Sequence, residues 1–162
     1  MDCRNIQFQY IDVLSEADLG QLMRLFRAAA FWASDREASA MATAIAHSHP
    51  VVTTWDGETL IGFARATSDG VFRATIWDVV IDPGYQGGGL GRKMVETLLS
   101  HPHMSRVERV YLMTTHQQGF YQRIGFTENP STTLVLNNSA VELLPALRPV
   151  SGVIGQESVV RR

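Results

Sequence analysis

The stretch "DPGYQGGGLGRK", residues 82–93, holds five glycines in twelve positions. It lies between the β-branched and aromatic run "VFRATIWDVVI" (71–81) and an amphipathic helical pattern that starts near Leu90. The first N–H groups of a helix have no partner within the helix, and the helix dipole places partial positive charge there. Glycine lets an anion approach the backbone closely. The stretch therefore predicts a strand, a turn and a helix start that together bind a phosphate-like anion.

Two common phosphate-binding motifs do not fit the stretch. The dinucleotide fingerprint G-x-G-x-x-G begins at Gly87 and Gly89 and fails at Arg92, and the acidic residue expected further along is missing. The P-loop pattern needs Lys followed by Ser or Thr, whereas Met94 follows Lys93.

What remains is the pattern Q-x-x-G-x-G, with Gln86 opening the loop and Gly89 and Gly91 at the glycine positions. In this register Gly87 and Gly88 fall on variable positions. We expect these two glycines to tolerate alanine better than Gly89 does.

The rest of the chain alternates between β and α patterns. Residues 6–11 predict a strand, residues 15–46 two helices, and residues 51–81 three antiparallel strands with turns at "DG" and "SDG". A helix to Ser100, a parallel strand at 109–115, a short helix ending at Gly125 and a strand at 131–136 complete the pattern. The order β-α-α-β-β-β-α-β-α-β predicts an α/β fold with a mixed sheet and helices on both faces. Residues 1–136 form the expected domain, and 137–162 a tail of uncertain structure.

Two motifs together resemble the GNAT superfamily of N-acetyltransferases: the Q-x-x-G-x-G loop after "VVIDP", and "GFYQRIGF" (119–126) one strand later. The resemblance covers roughly residues 6–136. Within the superfamily, residues 62–92 look most like plastid and cyanobacterial members linked to acetylation of arylalkylamines such as serotonin. The resemblance implies a fold with splayed central parallel strands, and acetyl-CoA as co-substrate.

The resemblance also implies which residues bind acetyl-CoA. Val79 and Ile81 would offer backbone groups to the pantetheine arm, and one backbone N–H, of Val79 or Val80, would polarise the thioester carbonyl. The pyrophosphate would be held by the loop and the first helical turn, that is by Gln86, Gly87, Gly88, Gly89, Leu90, Gly91 and Arg92, with Lys93 either adding charge or simply facing solvent.

Tyr121 occupies the tyrosine position of the second motif. In the family this phenol is the general acid that protonates the departing sulfur, and it also contacts the co-substrate. The alternative is a core aromatic residue of an amphipathic helix, which is our interpretation of Phe120. We favour the acid role because of the motif register.

The general base is less well defined by the sequence. Asp78 is the first candidate, because a charge in the middle of a strand is costly to bury unless it is used or paired. An ion pair with Arg65 or Arg73 is the alternative. Histidine is the side chain that most often acts as a general base, so His116 is a further candidate, as is a water chain.

The acceptor side is predicted from residues near the same strands. Trp77, Thr75 and Thr114 are candidate substrate-binding residues, and Trp77 suits an aromatic amine or a cation. The acceptor would be a small amine, such as an arylalkylamine or a polyamine, or a protein lysine or N-terminus. A non-catalytic acetyl-CoA-binding module is the alternative from another class.

Composition narrows the remaining possibilities. The net charge of −2 disfavours a general nucleic-acid binder. No apolar run is long enough to span a membrane, and the N-terminus lacks the apolar segment of a signal peptide. We therefore expect a cytoplasmic protein without a membrane partner, and we leave a homodimer open. The histidines are not in metal-ligand spacing, so no metal is expected.

Overall fold

The computed structural model describes residues 5–137 of the chain. The elements are β1 (Ile6–Ile11), α1 (Glu16–Ala29), α2 (Ala38–Ala46), β2 (Val51–Asp56), β3 (Thr59–Ser68), β4 (Arg73–Ile81), α3 (Leu90–Ser100), β5 (Arg109–Tyr111) and α4 (Gln118–Gln122). Short 3₁₀ turns lie at Phe31–Ala33 and Pro83–Tyr85.

One five-stranded sheet with the order β1-β2-β3-β4-β5 organises the fold. The strands β1 to β4 pair antiparallel, and β4 pairs parallel with β5 because α3 crosses between them. This arrangement confirms the predicted mixed α/β fold.

The sheet is covered on both faces, as the alternating β and α patterns predicted. On one face α1 and α2 pack on a core in which the rings of Phe26 and Phe63 meet edge to face, with centroids 5.8 Å apart. On the other face α3 buries Met94, Val95 and Leu98 against the sheet. The strand β4 contributes to both cores, and this places its end between the two layers of helices.

Helix α1 begins where the sequence indicates. Ser15 is the N-cap, its hydroxyl oxygen accepts the N–H of Asp18 at 3.1 Å, and the hydroxyl donates to the Asp18 carboxylate at 2.7 Å. This reciprocal cap satisfies a donor of the first turn that has no partner within the helix.

Two predicted strands differ from the structure. The strand expected at 109–115 forms only over Arg109–Tyr111, since its parallel pairing with β4 stops there. The strand expected at 131–136 is wrong, because these residues have no regular secondary structure, and Leu134 and Val135 are about nine-tenths exposed (89% and 93%). A β-propensity run becomes a strand only where it has a partner strand to bond.

Contacts divide the chain into two units, Met1–Phe126 and Thr127–Arg162. The first contains every helix and strand given above. The predicted tail, 137–162, lies outside the described residues apart from Asn137, so its structure and the boundary at 136 stay predictions.

Candidate active site

The central parallel strands open into a cleft. Their pairing runs from Arg73 opposite Arg109 to Thr75 opposite Tyr111, and beyond Thr75 β4 continues to Ile81 without β5 beside it. A cavity of about 530 Å³ occupies this end of the fold. Its walls come from the end of α1 and the turn after it, from β4, from the glycine-rich loop with the start of α3, and from α4.

A β-bulge shapes the β4 wall of the cavity. Trp77 pairs with Arg65 and Val80 pairs with Phe63, so two residues of β4 stand opposite the single residue Ala64 of β3. The first of the two, Asp78, has φ of 55°. The second, Val79, lines the cavity and has no ladder partner on either neighbouring strand among the described residues.

The glycine-rich loop presents backbone donors to the cavity. In the described part of the chain no hydrogen bond engages the N–H groups from Gly87 to Arg92, and Lys93 N–H is the first to bond, to Gly89 O at 3.0 Å. Gly89 is the N-cap of α3, where a serine, threonine or aspartate would usually occupy these donors with its side chain. The loop therefore keeps several N–H groups free for an anion.

The backbone of the loop corrects one expectation. Gly87 and Gly89 both have φ of 82°, a conformation that disfavours side chains, so Gly87 is not the tolerant position that the motif register predicted. Gly88 does not have this conformation, and a Cβ there would meet Tyr85 O at an ordinary 3.8 Å. Motif position alone does not report backbone conformation.

The charge of the cavity wall suits an anionic ligand. Of the described residues that line it, Arg92 and Arg123 are cationic and none is acidic. Arg92 also bonds Glu96 on the exposed side of α3 at 2.7 Å. Gln86 donates from its side chain to Ile81 O at 3.0 Å, and this contact ties the start of the loop to the end of β4.

Tyr121 enters the cavity from α4. Its ring packs edge to face on Phe120 and Phe126, and within residues 5–137 its hydroxyl has no hydrogen-bond partner. Burial raises the pKa of the Tyr121 phenol above its usual value, because the charged phenolate is poorly solvated there. The Tyr121 hydroxyl is therefore protonated at neutral pH, and no group within residues 5–137 accepts its proton in a hydrogen bond.

Comparison with known proteins decides the family. The model of the family "Acetyltransferase (GNAT) family" matches residues 19–126, which hold the cleft, the loop and Tyr121. The chain belongs to the GNAT acetyltransferase family. This confirms the family predicted from the loop and the α4 motif, and it supports the predicted enzyme class, an acetyl-CoA-dependent N-acetyltransferase.

Relatives of this GNAT chain occur in plants and cyanobacteria. It is 36% identical over 137 residues to "Uncharacterized N-acetyltransferase ycf52-like" of Prochlorococcus marinus, covering 80% of this chain and 75% of that protein. It is 34% identical over 116 residues to "GCN5-related N-acetyltransferase 1, chloroplastic" of Arabidopsis thaliana, covering 70% and 58%. A 72-residue stretch is 47% identical to "Histone acetyltransferase TAP1" of Glycine max, covering 44% of this chain and 31% of that protein. The chain thus spans less than a third of this soybean relative's length.

Solved structures show the same fold. A putative acetyltransferase from Deinococcus radiodurans superposes with a TM-score of 0.70 at 23% identity, over 83% of this chain and 91% of that one. A GNAT-family protein from Streptococcus pneumoniae superposes with a TM-score of 0.68 at 21% identity, over 82% and 98%.

The structure brings together most of the predicted co-substrate residues of this GNAT chain. The predicted residues that line the cavity are Val79, Val80, Ile81, Gln86, Gly87, Gly89, Leu90, Gly91, Arg92 and Tyr121. Gly88 and Lys93 do not line it. Their assigned roles stay predictions.

Asp78 forms an ion pair, which was the alternative to its role as the general base. Its carboxylate bonds Arg65 at 2.7 Å and Arg36 at 2.9 Å, and its side chain is only 5% exposed. Arg65 was one of the two expected partners, whereas the other, Arg73, pairs with Glu108. Asp78 does not line the cavity.

The predicted acceptor residues are not gathered at the cavity. Trp77 donates from its indole N–H to Thr67 at 2.9 Å and faces the Arg65 guanidinium at 5.9 Å. Thr75 sits where the β4–β5 pairing ends, and the Thr114 hydroxyl accepts the N–H of Gln117 at 3.1 Å. His116, the further candidate for the base, is exposed and lies outside the cavity lining.

Several lining residues were missed by sequence reasoning. Trp32, half exposed at 50%, reaches the cavity from the turn after α1, and the ring of Phe31 stands against it at 5.2 Å. The others are Ala29, Tyr85, Gln117, Phe120, Arg123 and Ile124. The adjacent aromatics "FW" after a helix were the available signal for Trp32, but adjacency alone does not say what they face.

Residues 5–137 contain no candidate membrane span and no candidate metal site. No helix there is long and apolar enough to cross a membrane. No group of three or more His, Cys, Asp or Glu side chains there is arranged to hold a metal ion.

Proposed function

We propose that the protein is an acetyl-CoA-dependent N-acetyltransferase that acts by direct transfer in a ternary complex. The observation that carries the proposal is the cleft between β4 and β5, which joins a loop of free N–H groups at one end to the Tyr121 hydroxyl. Acetyl-CoA supplies the activated acetyl group. The chain's own residues hold its anionic end, orient the thioester and manage protons.

The proton steps follow from the groups at hand. An alkyl ammonium acceptor has a pKa of about 10 and must lose a proton before its nitrogen attacks the thioester carbonyl carbon. As the C–N bond forms and the C–S bond breaks, the sulfur receives the proton of the Tyr121 phenol. The nitrogen then loses a further proton to water as it becomes the amide, and water returns a proton to the phenolate. Val79, the second residue of the bulge, has no ladder partner among the described strands, and this supports a role for its backbone N–H in polarising the carbonyl oxygen. The acceptor's proton leaves through water, because no carboxylate or histidine lines the described cavity.

For the acceptor we propose an arylalkylamine such as serotonin. Trp32 lines the cavity, and Phe31 beside it is 78% exposed, so two apolar rings are available to a flat aromatic amine. The cavity wall also lacks a carboxylate among the described residues, so a polycation such as a polyamine gains no ion pair from it.

A protein amine is the second candidate acceptor. It is favoured by one observation, the 47% identity over 72 residues to a soybean protein named as a histone acetyltransferase. A lysine side chain would use the same proton steps, since its amine has a similar pKa.

The cytoplasmic location, and the monomeric or dimeric state, stay predictions.

One assay tests these proposals together. Free-thiol release from acetyl-CoA is measured with serotonin, tryptamine, spermidine and a lysine peptide, with the Tyr121→Phe variant as control. We expect the wild-type protein to acetylate the arylalkylamines and the Tyr121→Phe variant to lose this activity. Turnover with the peptide alone would favour the protein acceptor. Acetyl-CoA binding without turnover of any acceptor would favour a non-catalytic binding module.

A further inference from the structure

Asp78 sits at the centre of a three-residue ion-pair network. Its Oδ1 lies 2.9 Å from Arg36 Nη1, and its Oδ2 lies 2.7 Å from Arg65 Nε. Arg65 also donates to the Ser48 hydroxyl at 3.1 Å. Each carboxylate oxygen therefore already has a charged partner, and the side chain has almost no contact with solvent.

The residue at the centre of the network has an unusual backbone conformation. Asp78 is the only residue other than glycine with positive φ in the described part of the chain, and it is the first residue of the β4 bulge. Such a conformation costs free energy and persists where its surroundings hold it. The next residue, Val79, forms the cavity wall, so the contacts that hold Asp78 also set the orientation of the Val79 backbone.

Arg36, at one end of the network, lies close to the turn that carries Trp32. Arg36 follows the 3₁₀ turn Phe31–Ala33, its N–H bonds Ala33 O at 3.3 Å, and its guanidinium lies 5.8 Å from the Phe26 ring centroid. Trp32 lies in that same turn and lines the cavity. Arg36 thus connects the segment that carries Trp32 directly to the bulge.

We propose that Asp78 is a positioning residue that, through Arg36, couples the Trp32 wall of the cavity to the β4 bulge. The proposal rests on the proposed acetyltransferase function. It assigns to Asp78 the alignment of acceptor and thioester rather than the removal of the acceptor's proton. Ala33 of the Trp32 turn and Val80 of β4 belong to the same hydrophobic core, and the ion pair of Arg36 with Asp78 adds a direct polar link between the two segments at the bulge.

The main test uses Arg36→Gln, because Arg36 is 36% exposed and its loss leaves Asp78 paired with Arg65. We expect kcat to fall by about tenfold to a hundredfold and the acceptor KM to rise, since a small misplacement of reacting groups has effects of this size. The Kd of acetyl-CoA should change much less than kcat, because the loop amides that would hold the pyrophosphate are untouched. Arg36→Lys should restore part of kcat. Arg73→Gln, which removes an exposed ion pair with Glu108, is the matched control and should behave as wild type.

A second variant separates positioning from proton transfer. Asp78→Asn keeps the side-chain shape and tolerates positive φ, yet it removes the charge. We expect it to lower kcat about as much as Arg36→Gln, with no further loss in the double variant and with the pH dependence of kcat unchanged in shape. Loss of the acidic limb of the pH profile in Asp78→Asn would overturn the proposal and make Asp78 the base. Wild-type kcat and KM in Arg36→Gln would also overturn it.

Hydrogen exchange gives a readout that does not depend on turnover. Arg36→Gln should speed amide exchange at Asp78 and Val79, and Asp78→Asn should speed it at residues 31–37, while Arg73→Gln does neither. If wild-type protein acetylates no acceptor, the proposed function fails, and the exchange result still decides the coupling. Unchanged exchange in both variants would refute the coupling even in an active enzyme.

Discussion

Alanine at each of the three consecutive glycines of the loop gives the sharpest test of how the co-substrate is held. Gly87 and Gly89 both have φ of 82°, whereas Gly88 does not have positive φ. An alanine forced into the left-handed region costs about 1–2 kcal/mol. If the loop keeps its conformation, the folded protein becomes less stable by this free energy. If the loop relaxes instead, acetyl-CoA must restore the original loop conformation when it binds, and its affinity falls.

The size of the expected effect depends on which of these two cases holds. If the loop relaxes in the free protein, the Kd of acetyl-CoA should rise by about 5-fold to 30-fold for Gly87→Ala and for Gly89→Ala. If it does not relax, the same free energy should appear as a lower melting temperature. Gly88→Ala should change neither, because its Cβ would lie 3.8 Å from the nearest atom outside its chain neighbours, Tyr85 O.

Isothermal titration with acetyl-CoA and thermal melts of the same samples measure both quantities. A Gly88→Ala variant that binds as poorly as Gly89→Ala would refute the reasoning, since the backbone conformation would then not be what the loop needs. Wild-type binding and melting in both Gly87→Ala and Gly89→Ala would do the same.

Three further outcomes follow from the site and its surroundings. Tyr121→Phe should lower kcat by about 100-fold or more while leaving the Kd of acetyl-CoA nearly unchanged, as a stopped thiol-release assay and titration would check; equal turnover would remove the phenol from the mechanism. Trp32→Ala should raise KM for an arylalkylamine several-fold and leave KM for acetyl-CoA unchanged, and a uniform loss with every acceptor would contradict a role in acceptor choice. Burial, and then the charges of His49 and His103, lower the pKa of His101 below its usual value, against a smaller opposing effect of Asp12. The unfolded chain therefore binds a proton at His101 more readily than the folded chain, so stability should fall as pH drops through about 6.5 and below. Melts of His101→Asn should show a weaker pH dependence in that range, and an identical one would exclude His101 as its source.

Local patterns predicted the parts of the fold that depend on near neighbours in the chain. Ser15 and Asp18 cap α1 as their spacing indicates. The glycine-rich stretch forms a turn and a helix start because few other residues allow its dihedral angles. The run at 131–136 shows the limit of such patterns, since β-branched residues have strand propensity but form no strand there.

The candidate site divides in the same way. Motif spacing was sufficient to place Gln86, Gly89, Gly91 and Tyr121 at the cavity, because each motif is a short continuous stretch of the chain. Trp32 could not be placed from the sequence, because the turn that carries it reaches the cavity only when α1 has docked on the sheet. Nor could the role of Asp78 be separated from its alternative, since Arg36 and Arg65 approach it from a loop and from a neighbouring strand.

"DPGYQGGGLGRK" was sufficient to predict a backbone site for an anion, because dihedral freedom and free N–H groups are local properties of a strand–turn–helix junction. The sequence also established the family and hence the expected co-substrate. Tertiary structure decided where β4 and β5 separate, which aromatic wall faces the opening, and that the buried carboxylate at the bulge is held by two arginines. These features depend on strand register and helix docking, and such long-range contacts leave no periodic signal along the chain.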